Sequence, residues 1–202
     1  MSTAFFSGFL LSFSLILAIG SQNAFVLRQG LKEEHVFWVC LTCAISDATL
    51  IGIGVSGFSL VLNQSPILLD IIRYAGAAFL FVYGFMHLRS ALRGGASLQA
   101  SQDTSPSKSL KKTLLITLAL TWLNPHVYLD TLLLIGSVST KYPGQGLAFF
   151  IGAALASAVF FFSLGYGARL LQPFFKKPRS WQILDFLIFI VMFSIAISLL
   201  LN

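Results

Sequence analysis

The chain has 202 residues, 56% of them hydrophobic and 10% charged, with a formal net charge of +6 and a mean hydropathy of +0.85. Soluble domains carry about 25% charged residues, so composition excludes an ordinary soluble domain and predicts an integral membrane protein. A net charge of +6 would suit nucleic acid or anionic lipid, but no dense basic cluster interleaved with aromatics exists, and the basic residues sit between apolar runs. Membrane topology is the simpler account of them.

Uncharged runs cover 2–27, 48–69, 142–168 and 186–202, each long enough for a membrane helix of about 20 residues. About six spans with short loops use up the chain, leaving no separate soluble domain. The first is expected over 4–27. No Lys or Arg precedes Arg28 and the run from Ser2 is too long for a signal h-region, so no cleaved leader is expected. This span is interrupted by Gly20-Ser21-Gln22-Asn23. The second, over 36–62, carries Asp47. Its Cys40 and Cys43 form a C-x-x-C without nearby His or Cys ligands, so they read as small packing residues and not as a redox or metal site. The third covers 68–91, with Asp70 and Arg73 near its start and Arg89 and Arg93 near its end. The polar tract 94–112 reads as a surface linker. The fourth span, 113–138, is broken by Trp122-Leu123-Asn124-Pro125-His126. The fifth covers 146–170, and Pro173, Lys176, Lys177, Pro178 and Arg179 turn the chain into the sixth, 182–201. Gly76, Gly84, Gly152, Gly165 and Gly167 read as helix-packing positions. Trp38, Tyr142 and Trp181 read as interfacial anchors.

The connections after spans one, three and five hold eleven of the thirteen Lys and Arg residues; only Arg73 and Lys141 lie on the other side. That bias puts the linker in the cytoplasm and both termini outside. The organisation expected is a first three-helix repeat at 1–93, a cytoplasmic linker at 94–112 and a second three-helix repeat at 113–202. With three helices each, the halves run in opposite senses. Each opens on an interrupted span, and Asp47 precedes Gly57 by the ten residues that separate Ser157 from Gly167. The fold class predicted is therefore an all-α membrane protein built as a 3+3 inverted repeat, with a substrate site where the broken spans meet.

A carboxylate inside a span costs about 2.5–3.5 kcal/mol on insertion scales. Asp47 should therefore face the interior, with Ser46 and Thr49 close enough to be hydrogen-bond partners. It reads either as a functional group or as a structural plug. Asp130 follows the second break by five residues. Pro125 removes a backbone donor and frees carbonyl acceptors. Such a carbonyl, Asn124 and Asp130 suit an ammonium or guanidinium group, although Asp130 also fits a bracing role. His126 fits either a proton carrier or a backbone-bonding residue beside the kink. Gln22 and Asn23 offer uncharged donors and acceptors to a ligand, or glue between helices, and Gly20 permits close approach. No hydrolase elbow, phosphate loop, zinc motif or dinucleotide fingerprint occurs, so no enzyme, metal or cofactor is expected.

At Ser21-Gln22-Asn23-Ala24-Phe25-Val26-Leu27 with Gln29-Gly30, at Ala44-Ile45-Ser46-Asp47 and at the stretch from Thr121 through Asp130, the chain resembles the LysE-type family of basic-amino-acid exporters, especially its bacterial arginine exporters. The likeness extends over essentially the whole chain, including a Gly136-Ser137 pair. It departs where the family commonly has Gly-Pro before Gln-Asn: here Ser21 follows Gly20, and serine enforces no kink, so a first break that is softer or formed by hydrogen bonding is expected.

The resemblance implies export of L-arginine or L-lysine across a bacterial inner membrane, driven by a proton or ion gradient, with a homodimer as a possible assembly. The substrate-binding set expected is Gln22, Asn23, Asp47, Asn124 and Asp130, with Asp47 and Asp130 exchanging protons and Gly20, Ser21 and Pro125 making the breaks. The alternatives are an exporter of a neutral amino acid and a cation channel lined by the same groups.

Overall fold

A computed structural model describes residues 2–17, 20–57, 66–92 and 109–201. Most of the expected linker, and the expected end of the second span beyond residue 57, lie outside the described residues. Helices make up nearly all of what is described, and no strand occurs among the described residues. Apolar segments in lipid must satisfy every backbone group internally, which leaves helix as the local solution.

The helices are α1 (Ser2–Ile16), α2 (Ser21–Lys32), α3 (Val36–Val55), α4 (Pro66–Leu92), α5 (Leu110–Trp122), α6 (Pro125–Tyr128), a π-helical stretch (Leu129–Ile135), α7 (Gly136–Ser139), α8 (Gly146–Gly167), a 3-10 stretch (Ala168–Lys176) and α9 (Pro178–Leu201). Four helices are long and apolar enough to cross a membrane unaided: Val36–Val55, Tyr74–Leu92, Gly146–Phe175 and Pro178–Leu201. Two bent pairs reach that length only together. They are α1 with α2, at 81°, and Leu110–Trp122 with His126–Ser139, at 63°. The chain is thus a multi-pass helical protein with four to six spans, broken where the polar motifs fall.

The element order matches the sequence expectation, with differences at the ends. The fifth span closes on a 3-10 stretch, and α9 begins at Pro178, where a proline fits the first helical position. Between α2 and α3, Glu33 and His35 take left-handed backbone angles (φ 55° and 53°), giving a sharp reversal.

Helices α3 and α8 cross at the centre. Helix α1 lies along α8, the π-helical limb lies along α3, and α4 pairs with α9. Several approaches are backbone to backbone. Gly8 meets the Phe149 carbonyl, Gly152 the Phe5 carbonyl, Gly30 the Gly165 carbonyl and Gly136 the Gly54 carbonyl. A Cβ at any of these would overlap that carbonyl oxygen, so small residues are required there. Gly152 and Gly165 thus take the packing role expected of them. Gly167 does not, because a Cβ there would meet nothing within 4 Å.

Trp181 corrects another expectation. It is fully buried and donates from Nε1 to the Phe175 carbonyl at 2.7 Å. It belongs to the core and not to the membrane interface, whereas Trp38 is half exposed. Cys40 and Cys43 are both buried and unbridged, and the Cys40 thiol donates to the Phe161 carbonyl at 3.2 Å.

Candidate functional site: a cavity between the broken spans

At the first break, Gly20 is extended (φ −109°, ψ 177°) and Ser21 opens α2. The interruption therefore precedes the motif: Ser21, Gln22 and Asn23 form the first turn of α2. Asn23 reaches back and donates from Nδ2 to the Ile16 carbonyl at 2.7 Å, satisfying an acceptor that the end of α1 leaves without an intrahelical partner.

The second break repeats this device with different residues. Helix α5 ends at Trp122, and Pro125 is the first residue of α6. Asn124 caps α6, its Oδ1 accepting from the His126 N–H at 3.2 Å, the usual N-cap geometry. Tyr128 donates its hydroxyl to the Trp122 carbonyl at 2.7 Å. One carbonyl at the end of α5 is thus capped from within. Tyr128 was invisible to sequence reasoning because a Tyr in an apolar run has no distinguishing pattern. Beyond it the chain widens into the π-helical stretch carrying Asp130 and Thr131, and π-helical insertions are frequent at functional sites.

Asp47 is buried near the middle of α3, and Ser157 of α8 donates to its Oδ2 at 2.8 Å. The nearby partners expected on its own helix do something else. Thr49 bonds the Ile45 carbonyl, and Ser46 accepts from Trp122 Nε1 at 3.2 Å. The Gln22 amide lies beside both Asp47 and Cys43, yet its Nε2 forms no hydrogen bond of regular geometry.

These elements enclose a cavity of about 290 Å³, near the lower end of the roughly 300–1,000 Å³ typical of small-molecule sites. Gly20, Gln22, Asn23, Asp47, Asn124, His126 and Asp130 all line it. Ser21 is buried outside the lining. Pro125 contributes the start of α6. Ser12, Thr131 and Phe161 also line the cavity, none of them marked by sequence pattern. Two of the described lining residues are carboxylates, and none of them is a lysine or arginine. Such a chamber concentrates cations, while Leu15, Ile51, Ile135 and Phe161 offer apolar wall for a hydrocarbon stem. The buried Ser12 Oγ has no hydrogen-bond partner among the described residues, and Gln22 Nε2 makes no regular hydrogen bond to them; a polar ligand would complete such groups.

The profile of LysE type translocators matches residues 13–202. The chain belongs to this family. An arginine exporter protein ArgO of Photorhabdus laumondii is 42% identical over 197 residues, covering 97% of this chain and 94% of that protein. One from Yersinia enterocolitica is 40% identical over 200 residues, 98% of this chain and 97% of the relative. A putative amino-acid transporter of Mycobacterium tuberculosis is 40% identical over 187 residues, 93% and 92%. No solved structure matches the chain. Family membership together with the spanning helices makes this a membrane translocator.

Proposed function

We propose that this LysE-family protein exports a basic amino acid, L-arginine or L-lysine, across a bacterial inner membrane in exchange for protons, and that the cavity between the broken spans holds the substrate. The observation that carries this reading is the lining, which holds Asp47 and Asp130 and, among the described residues, no lysine or arginine. Two relatives, each named an arginine exporter, agree with it.

In this reading Asp47 and Asp130 bind the cationic groups, and Gln22, Asn23 and Asn124 supply amides to the rest of the amino acid. Export of one positive charge from a negative interior opposes about 2.3 kcal/mol per 100 mV, so a uniporter would run inward. A carboxylate that alternates between substrate cation and proton supplies the coupling. It binds when ionised and releases when protonated from outside. Asp47 is the first candidate for that exchange and Asp130 the second.

Alternating access then follows from an inverted repeat, with 1–93 and 113–202 as its halves. The packing supports this. An axis that exchanges spans one with four, two with five and three with six turns the α2–α8 contact into the contact of the π-helical limb with α3. It turns the Gly30–Gly165 approach into Gly136–Gly54. Asp47 and Ser157, matched by their spacing to the next glycine, bond each other across such an axis.

The test is counterflow of labelled arginine in proteoliposomes with an imposed pH gradient, comparing wild type with Asp47→Asn. Losing a desolvated charge pair costs about 2 kcal/mol or more, roughly a 30-fold loss of exchange. Undiminished proton-coupled exchange by the variant would eliminate Asp47 as the exchanging group. Single-channel currents in place of saturable counterflow would favour the channel reading.

A further inference from the structure

Helix α2 has a second working face. Gln22 and Asn23, in its first turn, line the central cavity. Arg28 and Lys32, one turn apart near its other end, line a separate cavity of about 270 Å³ between α2, α4 and α5. Lys112, in the first turn of α5, adds a third cation to this lining, in which no described residue is a carboxylate.

One carboxylate lies behind it. Asp185 of α9 is fully buried and does not line the cavity. It accepts from His87 Nδ1 at 2.9 Å and from the Ser90 hydroxyl at 2.5 Å, and its Oδ1 lies 3.4 Å from Arg28 Nη2. Arg28 Nη1 also lies 3.3 Å from the His87 ring nitrogens. Asp185 therefore fixes the Arg28 guanidinium against α4 and α9 and offsets one positive charge. Among the described residues, three lining cations less this one carboxylate leave an excess of two, and Arg28 Nε is buried without a hydrogen-bond partner.

A basic amino acid, itself a net cation, is repelled by such a cavity. An anion with several acceptor oxygens is attracted, and basic pockets between membrane helices suit phosphate headgroups. The walls indicate where that phosphate comes from. Phe25, Tyr83 and Ile116 give the cavity apolar sides, and its outer lining residues, Met86 on α4 and Lys112 on α5, are exposed. The neighbouring outward surfaces expose Leu92, Leu115 and Leu118, which suit acyl chains. We propose that this cavity binds a phosphate-bearing anion, the headgroup of an anionic phospholipid, which bridges α2, α4 and α5.

The experiment uses the full-length protein purified in detergent. Its thermal unfolding midpoint is titrated with phosphatidylglycerol, phosphatidylcholine and inorganic phosphate, for wild type, Lys32→Gln, Lys112→Gln and the double variant. The quantity read is the shift on addition, because Lys32 also sits 5.7 Å from the Trp181 ring centroid and its loss alters the baseline. Phosphatidylglycerol is expected to raise the midpoint while phosphatidylcholine and inorganic phosphate leave it unchanged. Apparent affinity should fall about fivefold for each lysine removed and roughly 25-fold for both. Lys112→Gln alone, at an exposed position, carries the test if the double variant does not fold. An equal response to both lipids, or one unchanged by the substitutions, overturns the site. A lysine-dependent response to inorganic phosphate as large as that to phosphatidylglycerol overturns the headgroup assignment in favour of a free anion. None of these readouts depends on which amino acid is transported.

Discussion

The polar side chains of this protein divide between those that repair the backbone and those left facing the cavity. Asn23 and Tyr128 belong to the first group, each closing back over a break onto a carbonyl six or seven residues earlier. Sequence reasoning left Asn23 between ligand binding and structural glue, and its bond to the Ile16 carbonyl gives it a structural role within the bent pair. Asp47 and Asp130 were legible because a carboxylate in an apolar run has few inexpensive explanations. The Ser157 partner of Asp47 had no such signal, since a serine in a helix costs little wherever it points. Tyr128→Phe isolates the backbone-repair role. It leaves the Trp122 carbonyl without its donor at a cost of about 1 kcal/mol. The expected result is a melting midpoint roughly 2–4 °C lower for a chain of this size, read in detergent by intrinsic fluorescence. An unchanged midpoint would mean that another donor takes over.

Among the elements, the two interruptions were legible because Gly, Pro and amide residues have no local reason to sit inside a lipid-spanning helix. Their repair was not legible, because it depends on rotamers. Nor was the position of the first break, which falls before Ser21. There the Gly20 backbone extends while the polar residues after it enter a helix. The close helix contacts separate two kinds of glycine that look alike in sequence. Gly152 faces the Phe5 carbonyl, whereas a Cβ at Gly20 would meet nothing within 4 Å, and its φ is negative. Gly152→Ala is expected to destabilise by about 1–3 kcal/mol, the usual cost of overpacking. Gly20→Ala should stay within about 0.5 kcal/mol of wild type. Parallel thermal melts of the two variants check the contrast, and equal losses would contradict the assigned packing.

For the whole molecule, basic residues scattered in sequence gather at one end. Lys32 lies over Trp181, Arg169 is 3.8 Å from Glu33, and Gln172 donates to Glu33 at 2.7 Å. Lys112 shares a cavity with Arg28 and Lys32. This clustering supports the proposed orientation, with that end in the cytoplasm. A cysteine at position 97 in the linker (Ser97→Cys) should then react with an impermeant maleimide only in inverted vesicles. One at the C-terminus (Asn202→Cys) should react in intact spheroplasts. The native Cys40 and Cys43 are buried and should stay silent. The reverse labelling pattern would turn the transporter over in the membrane and with it the direction of the proposed pH coupling.

Composition and charge placement alone determined that this chain is a multi-pass helical membrane protein, and its motifs alone marked two helix interruptions and pointed to the LysE family. Those properties are local: each apolar run must form a helix in lipid, and each break needs residues that tolerate it. Only the tertiary structure decided that Gln22, Asn23, Asp47, Asn124 and Asp130 share one chamber, that Ser157 holds Asp47, and that Asp185 anchors Arg28 beside a second, basic cavity. These depend on which helix faces cross, and side-chain packing between segments more than a hundred residues apart leaves no periodic trace in either segment.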